Sequence, residues 1–188
     1  MAEIDPTLID PLDAQAQLKA KTRLVPDFPK EGILFEDLTP VLADPEGFRA
    51  VVLDLARACK AMGADLVAGL DARGFLLGSA VAHELGLGIL AVRKGGKLPP
   101  PVHRVSYDLE YGSAAVEIPA EGIPLEGRKV LLVDDVLATG GTLDAAKRLI
   151  ERAGATVSGL AVVLEVQTLN ARQRFTDIPL YVVGTEHE

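Results

Sequence analysis

Phe48, Val52, Leu55, Cys59 and Met62 recur at steps of four and three, the spacing of one apolar helix face. Asp44-Pro45-Glu46 ahead of them supplies a capping acid and a proline at the first helical position, and Gly63 follows as a stop. Asp65 to Leu70 is then a short apolar run of the buried-strand type, closed by Asp71, Ala72, Arg73 and Gly74. The pattern next predicts a helix over about Phe75 to Leu85, stopped by Gly86, and a strand over Gly88 to Val92, closed by Arg93, Lys94, Gly95, Gly96 and Lys97. Between Leu98 and Gly112 three consecutive prolines, polar residues and two tyrosines sustain no period, which predicts a long functional loop. Ala114 to Ile118 reads as a returning strand, and Arg128 to Val133 as a β-branched, leucine-rich strand running into paired acids. Leu143, Ala146, Ile150 and Ala153 keep helical spacing from a start near Thr142 to Gly154; Thr156 to Val166 and Leu180 to Val183 supply further strands.

Apolar strands separated by helix-length segments predict an α/β fold, a mostly parallel sheet flanked by helices on both faces with right-handed crossovers. In such sheets ligands bind beyond the carboxyl ends of the strands. The segments after Leu70, Val92 and Val133 all leave from such ends, so they can converge on one site.

With 188 residues and 48% hydrophobic composition the chain suits one core, and residues 1–188 are read as a single domain. Charged residues at 24% without low-complexity segments confine expected disorder to the first dozen residues and the last few. A net charge of −8 speaks against a nucleic-acid partner, which needs a broad basic face, but not against an anionic small molecule held by helix N-termini and a few local cations. The single Cys59 cannot form an internal disulfide, Met1 to Gln15 is acidic without a signal-peptide core, and no apolar run approaches the ~20 residues that cross a bilayer. A soluble cytoplasmic protein with no membrane partner is expected.

The most informative string is Val130-Leu131-Leu132-Val133-Asp134-Asp135-Val136-Leu137-Ala138-Thr139-Gly140-Gly141-Thr142. Its small residues let backbone N–H groups turn inward around a phosphate, Thr139 and Thr142 add hydroxyl donors, and the following helix adds the partial positive charge of its N-terminus. Asp134 and Asp135 would repel that phosphate if aimed at it, but they suit the vicinal hydroxyls of a ribose. A plain strand-to-helix turn with an acidic cap is the bland alternative; the type and order of the whole string favour the phosphate. Asp71-Ala72-Arg73-Gly74 alone reads equally as a crossover turn or an anion loop. Of the histidines, His83 falls in a helix, His103 in the loop and His187 in the tail, without metal-ligand spacing. No nucleophile–base pair stands out.

The string resembles the phosphoribosyl pyrophosphate signature of the type I phosphoribosyltransferases. Pro26-Asp27-Phe28-Pro29, Gly32-Ile33-Leu34-Phe35, Asp37-Leu38-Thr39-Pro40, Gly69 to Phe75 and Leu109-Glu110-Tyr111-Gly112 narrow the resemblance to the adenine phosphoribosyltransferase family, from about Pro26 to the C-terminus. That resemblance implies a small N-terminal base-binding hood over about residues 1–40, a flexible lid over about 94–112, and a homodimer. It further implies that Asp71, Ala72 and Arg73, in a loop where a cis peptide is common, hold the diphosphate. Arg93, Lys94 and Lys97 would assist the leaving pyrophosphate, a solvated basic surface being the alternative. Phe35 would stack on adenine opposite Val136, or else pack in a core, while backbone groups near Leu34 and Glu36 read the base edge. Val136, Ala138, Thr139, Gly140, Gly141 and Thr142 would complete the substrate-binding set with Asp134 and Asp135. Glu110 would handle the proton on the base, with Tyr111 beside it in the lid, unless Glu110 is merely solvated. Glu36 departs from the arginine often found at its position, and Pro100-Pro101 from the glycine usual in the lid.

The implied reaction transfers the 5-phosphoribosyl group of phosphoribosyl pyrophosphate to adenine, giving AMP and pyrophosphate. Magnesium would be held mainly by substrate oxygens and water, with no protein metal site. The rival enzyme reading is a phosphoribosyltransferase for a 6-oxopurine. The rival of another class is a ligand-sensing regulator, for whose DNA-binding helices the chain has neither room nor basic composition.

Overall fold

The computed structural model describes residues 11–109 and 112–184. Two compact units divide the chain between Asp54 and Leu55. In the first, α1 (Pro11–Lys21) leads to a two-stranded antiparallel sheet of β1 (Arg23–Pro26) and β2 (Leu34–Asp37), in which Val25 faces Phe35 and Leu24 faces Glu36. The short α2 (Thr39–Ala43) follows. The helix α3 (Pro45–Ala61) starts where the Asp-Pro-Glu signal places it: the Asp44 carboxylate accepts hydrogen bonds from the Glu46 and Gly47 N–H groups at 3.1 and 2.8 Å. Asp44 also pairs with Lys21, which joins the end of α1 to the start of α3.

The second unit is built on a seven-stranded sheet of β3 (Leu66–Leu70), β4 (Gly88–Lys94), β5 (Val102–Leu109), β6 (Gly112–Pro119), β7 (Lys129–Leu137), β8 (Thr156–Glu165) and β9 (Leu180–Val182). Their spatial order is β5-β6-β4-β3-β7-β8-β9. The five strands from β4 to β9 in that order run parallel, and β6 and β5 add an antiparallel edge. Two helices cross over, α4 (Arg73–Leu85) from β3 to β4 and α5 (Gly141–Arg152) from β7 to β8. Alternate strand positions Leu66, Ala68, Leu70, Val130, Leu132, Leu160 and Val162 join Leu143, Ala146 and Ile150 of α5 in one buried core. On the other face α4 lies so close that a Cβ on Gly69 would come within 2.3 Å of the Gly74 carbonyl oxygen, and one on Gly74 within 2.6 Å of the Val133 carbonyl oxygen. Glycine at both positions is what lets the helix start directly over β3 and β7.

Three expectations are corrected. Residues 98–112 are not one long loop: Val102–Leu109 form β5, paired with β6 from Val102↔Pro119 to Leu109↔Gly112, and His103 is therefore a strand residue. The period is hidden because β5 is an edge strand on which Val105 is buried while Arg104 and Ser106 are exposed, so its polar side chains alternate with few apolar ones. The strand expected to end at Val133 continues to Leu137, so Asp134, Asp135 and Val136 ride on β7 itself, laddered to β8 through Asp134↔Val162 and Val136↔Leu164. The strand expected to end at Val92 likewise reaches Lys94.

Candidate functional site

Consecutive crossovers leave β3 and β7 in opposite directions across the sheet: β3 feeds β4 on one side, β7 feeds β8 on the other. The crevice at that reversal is where an open α/β sheet can admit a ligand. The acidic, basic and small residues singled out in the sequence gather there. Arg73, at the start of α4, donates to Asp135 of β7 at 2.7 Å. Arg93, at the end of β4, donates to Asp71 at 3.1 Å and lies 5.7 Å from the Phe75 ring centroid on α4. Asp71 also faces the Lys94 N–H at 3.5 Å. Two ion pairs thus stitch three strand ends together, and the Asp71–Ala72 peptide between them is cis. Ala72 and Lys94 are exposed, as is Lys97 beyond the Gly95-Gly96 turn.

Asp134 lies beneath the first turn of α4 and accepts a hydrogen bond from the Asp135 N–H at 2.9 Å. Burial, reinforced by the neighbouring Asp135 charge, pushes the Asp134 carboxyl up to about 8. The upward shift favours the protonated acid, which lessens the repulsion that two charged acids would exert on an anionic ligand.

Val136 is half-buried, Ala138 and Thr139 are exposed, and the chain enters α5 through Gly140 at φ 78. No side chain caps the helix at Gly140; the Gly141 N–H has the Thr139 hydroxyl at 3.5 Å. The first turn of α5 is left to attract an anion from outside. A Cβ on Gly140 would meet the Phe175 ring at 3.0 Å, because the turn Ala171–Arg174 packs behind the loop. That turn is fastened by Arg172, which donates to the buried Glu165 carboxylate at 2.6 Å.

In the first unit Leu34 is exposed, and Phe35 is half-buried, meeting the exposed Phe28 edge to face at 5.2 Å between centroids. Phe35 is thus part of an open aromatic pair rather than a sealed core. β2 has β1 on one side and no second strand in its sheet, so one backbone edge of Leu34–Asp37 carries no strand partner among the described residues. Glu36 lies on that strand. Glu110 and Tyr111 lie outside the described residues.

Three supporting groups escaped the sequence reading. Glu117 of β6 is buried, accepts from Arg104 at 2.7 Å and accepts the Gly96 N–H at 2.9 Å, so it anchors the turn that carries Lys97. A glutamate inside the apolar run Ala114 to Ile118 is the signal that could have marked it. Glu165, at the end of the apolar run of β8, is marked the same way. Tyr107 of β5 meets Thr142 with their hydroxyl oxygens 3.1 Å apart, and a loop assignment for residues 98–112 gave no reason to look for it.

No group of three or more His, Cys, Asp or Glu able to hold a metal occurs among the described residues. The carboxylates at the strand ends are hard oxygen donors, but Asp71 and Asp135 are engaged by arginines. No helix among the described residues is long and apolar enough to cross a membrane.

Known proteins with these features define a class. The family model described as the phosphoribosyl transferase domain matches residues 49–185, taking in all three strand ends and the loop before α5. Adenine phosphoribosyltransferase of Corynebacterium jeikeium is 66% identical over 171 residues, 90% of this chain and 83% of that protein, and the enzyme of that name from Mycolicibacterium smegmatis is 60% identical over 164 residues, 87% and 90% of the two chains. The crystal structure of adenine phosphoribosyltransferase from Thermoanaerobacter pseudethanolicus superimposes with a TM-score of 0.86 at 40% identity, covering 92% of this chain and 99% of that one. The Saccharomyces cerevisiae enzyme, complexed with an imino-altritol bisphosphate and adenine, gives 0.84 at 37% identity, with 92% and 99% covered. The chain belongs to the adenine phosphoribosyltransferase family.

Proposed function

We propose that this chain transfers the 5-phosphoribosyl group of phosphoribosyl pyrophosphate to adenine, releasing pyrophosphate and forming AMP, as a single catalytic domain. The observation that carries the reading is the pairing of Arg73 with Asp135 and of Arg93 with Asp71 beside the uncapped start of α5. That arrangement offers phosphoribosyl pyrophosphate three kinds of partner: backbone N–H groups and the hydroxyls of Thr139 and Thr142 for the 5-phosphate, acids for the ring hydroxyls, and arginines for the diphosphate.

On binding, Arg73 and Arg93 turn from Asp135 and Asp71 to the diphosphate, and Asp135 is freed to accept a ribose hydroxyl, with Asp134 beside it. The bond from the anomeric carbon to the diphosphate oxygen breaks with its electron pair leaving on pyrophosphate. Lys94 and Lys97 add positive charge on that side. Magnesium brought by the substrate offsets diphosphate charge when bound. The imidazole-ring nitrogen of adenine forms the new bond to the anomeric carbon, and its proton leaves to Glu110 or water, with Tyr111 in the same lid. Phe35 supplies an aromatic face and Val136 an aliphatic one for the base, and backbone groups near Leu34 and Glu36 read its edge.

We further propose a homodimer, supported by exposed Leu76 and Ile89, and a cytoplasmic location, supported by the free buried Cys59, whose thiol burial pushes up to about 12. The test of function is AMP formation with adenine, hypoxanthine, guanine and xanthine competing under magnesium. A C=O and N–H pair matches the amino and ring-nitrogen edge of adenine and mismatches a 6-oxopurine twice, so kcat/KM should favour adenine by on the order of 10²–10⁴. Comparable kcat/KM for a 6-oxopurine would overturn the base assignment.

A further inference from the structure

Tyr107 and Thr142 are 35 positions apart, yet their hydroxyl oxygens are 3.1 Å from each other, and α5 packs against β5 and β6. The Tyr107 ring reaches the loop because the residues around it are small: Ala114 stands opposite it on β6, and a Cβ on Gly141 would already touch the ring at 3.5 Å. We infer that Tyr107 is a positioning residue for the 5′-phosphate, acting through Thr142; this rests on the proposed placement of that phosphate at the start of α5.

One hydrogen lies between two hydroxyls, and which side supplies it depends on what else each hydroxyl does. If Thr142 donates its hydrogen to a phosphate oxygen, only its lone pairs remain for Tyr107. The direction is then fixed: the Tyr107 O–H donates to Thr142 Oγ1, and the Thr142 O–H donates to the phosphate. A phenol is the better donor of the two, and two bonds running in one direction polarise each other. Without the Tyr107 hydroxyl, Thr142 is a free rotor that must be oriented by the ligand itself. The tyrosine also fastens β5 to the start of α5.

The test uses the full chain and compares Tyr107→Phe, Thr142→Val, Thr142→Ser and the double variant Y107F/T142V. Losing one net hydrogen bond to a polarised hydroxyl should weaken ribose 5-phosphate binding in calorimetry, and raise KM for phosphoribosyl pyrophosphate, about 5- to 10-fold in Y107F. The inhibition constant of pyrophosphate and KM for adenine, which do not involve the 5′-phosphate, should stay within about 2-fold, since the ring and its packing are kept. The Tyr107→Phe effect should persist on a Thr142→Ser background, which retains a hydroxyl, and vanish on Thr142→Val. Equal weakening of every ligand, or additive losses in the double variant, would overturn the inference in favour of a packing role. Wild-type ribose 5-phosphate binding by Y107F with weakened binding by T142V overturns the inference alone. Unchanged binding by T142V removes the phosphate placement itself, and the inference with it.

Discussion

The segment from β7 into α5 and the segment from β4 through the β5–β6 hairpin both bring charged groups to the same crevice, but they are built on opposite plans. β7 is a central strand with buried Val130, Leu131, Leu132 and Val133, and it delivers its acids directly onto a loop of small residues. The hairpin is an antiparallel edge on which the buried Glu117 is held by Arg104 and the Gly96 N–H. The first region presents its chemistry from a rigid strand, and its tolerance for change is small. The second holds its cations on a turn that depends on one carboxylate. The difference teaches that a site can take its geometry from backbone packing on one side and from a single buried polar side chain on the other.

The largest effect is expected where packing is tightest. In Gly74→Ala the new Cβ would sit 2.6 Å from the Val133 carbonyl oxygen and 3.1 Å from Asp134 Oδ1, so the first turn of α4 must lift and take Arg73 with it. AMP formation should fall by roughly 100-fold and the melting temperature by about 3–10 °C, from about 1–3 kcal/mol of overpacking. Steady-state assays and thermal melts check both, and a variant with wild-type turnover would break the rigid half of the comparison.

Next in size is the acid pair. Asp134→Asn with Asp135→Asn keeps volume while removing the Asp135 charge and the Asp134 carboxyl from the ribose hydroxyls, so turnover should drop at least ~10-fold. Unaltered kcat and KM in that double variant would remove the acids from the site. On the hairpin side, Glu117→Ala frees the Gly96 N–H and Arg104, and KM for phosphoribosyl pyrophosphate should rise about 5- to 10-fold. Glu117→Gln still accepts from Gly96 and should lose no more than about 3-fold. If the two substitutions behave alike, the turn does not hang on that hydrogen bond.

The last effect bears on stability rather than on turnover and is a pH dependence. The Asp134 carboxyl is pushed up to about 8 from an ordinary 3.8, so the folded state holds a proton that the unfolded chain has released between those values. Its stabilising contribution is complete below the unfolded value and is lost as pH rises through about 8. Wild-type stability should therefore fall relative to Asp134→Asn by roughly 1 kcal/mol per pH unit between pH 5 and 7. Denaturant melts of both proteins across that range measure the slope, and parallel curves would place the Asp134 carboxyl outside its buried setting.

Legibility followed the same division. The β7–α5 string could be read because four consecutive apolar residues buried on both faces, two acids and a run of small residues each restrict the chain locally. The α3 cap and the αL glycine ending α4 were legible for the same reason, since Asp44 and Gly86 act within a turn of their own position. β5 could not be read: an edge strand exposes alternate side chains to water, and its polar residues mimic a loop. The first-unit strands β1 and β2 were passed over because four residues are too few to establish a period.

What the sequence alone determined was the alternation of strands and helices from α3 onward, β5 apart, the run of small residues from Ala138 to Thr142, and the supply of acids and bases at three strand ends. These are properties of short windows, governed by hydrophobic period, capping and glycine freedom. Only the tertiary structure decided the pairing of those charges. Arg73 finds Asp135 across 62 positions, and Tyr107 finds Thr142 across 35, because the β3–β7 reversal and the antiparallel return of β5 bring distant segments within hydrogen-bond reach. It also decided that the Asp134 carboxyl is pushed upward, since burial beneath α4 sets the cost of its charge and no local pattern records how deeply a side chain will be covered.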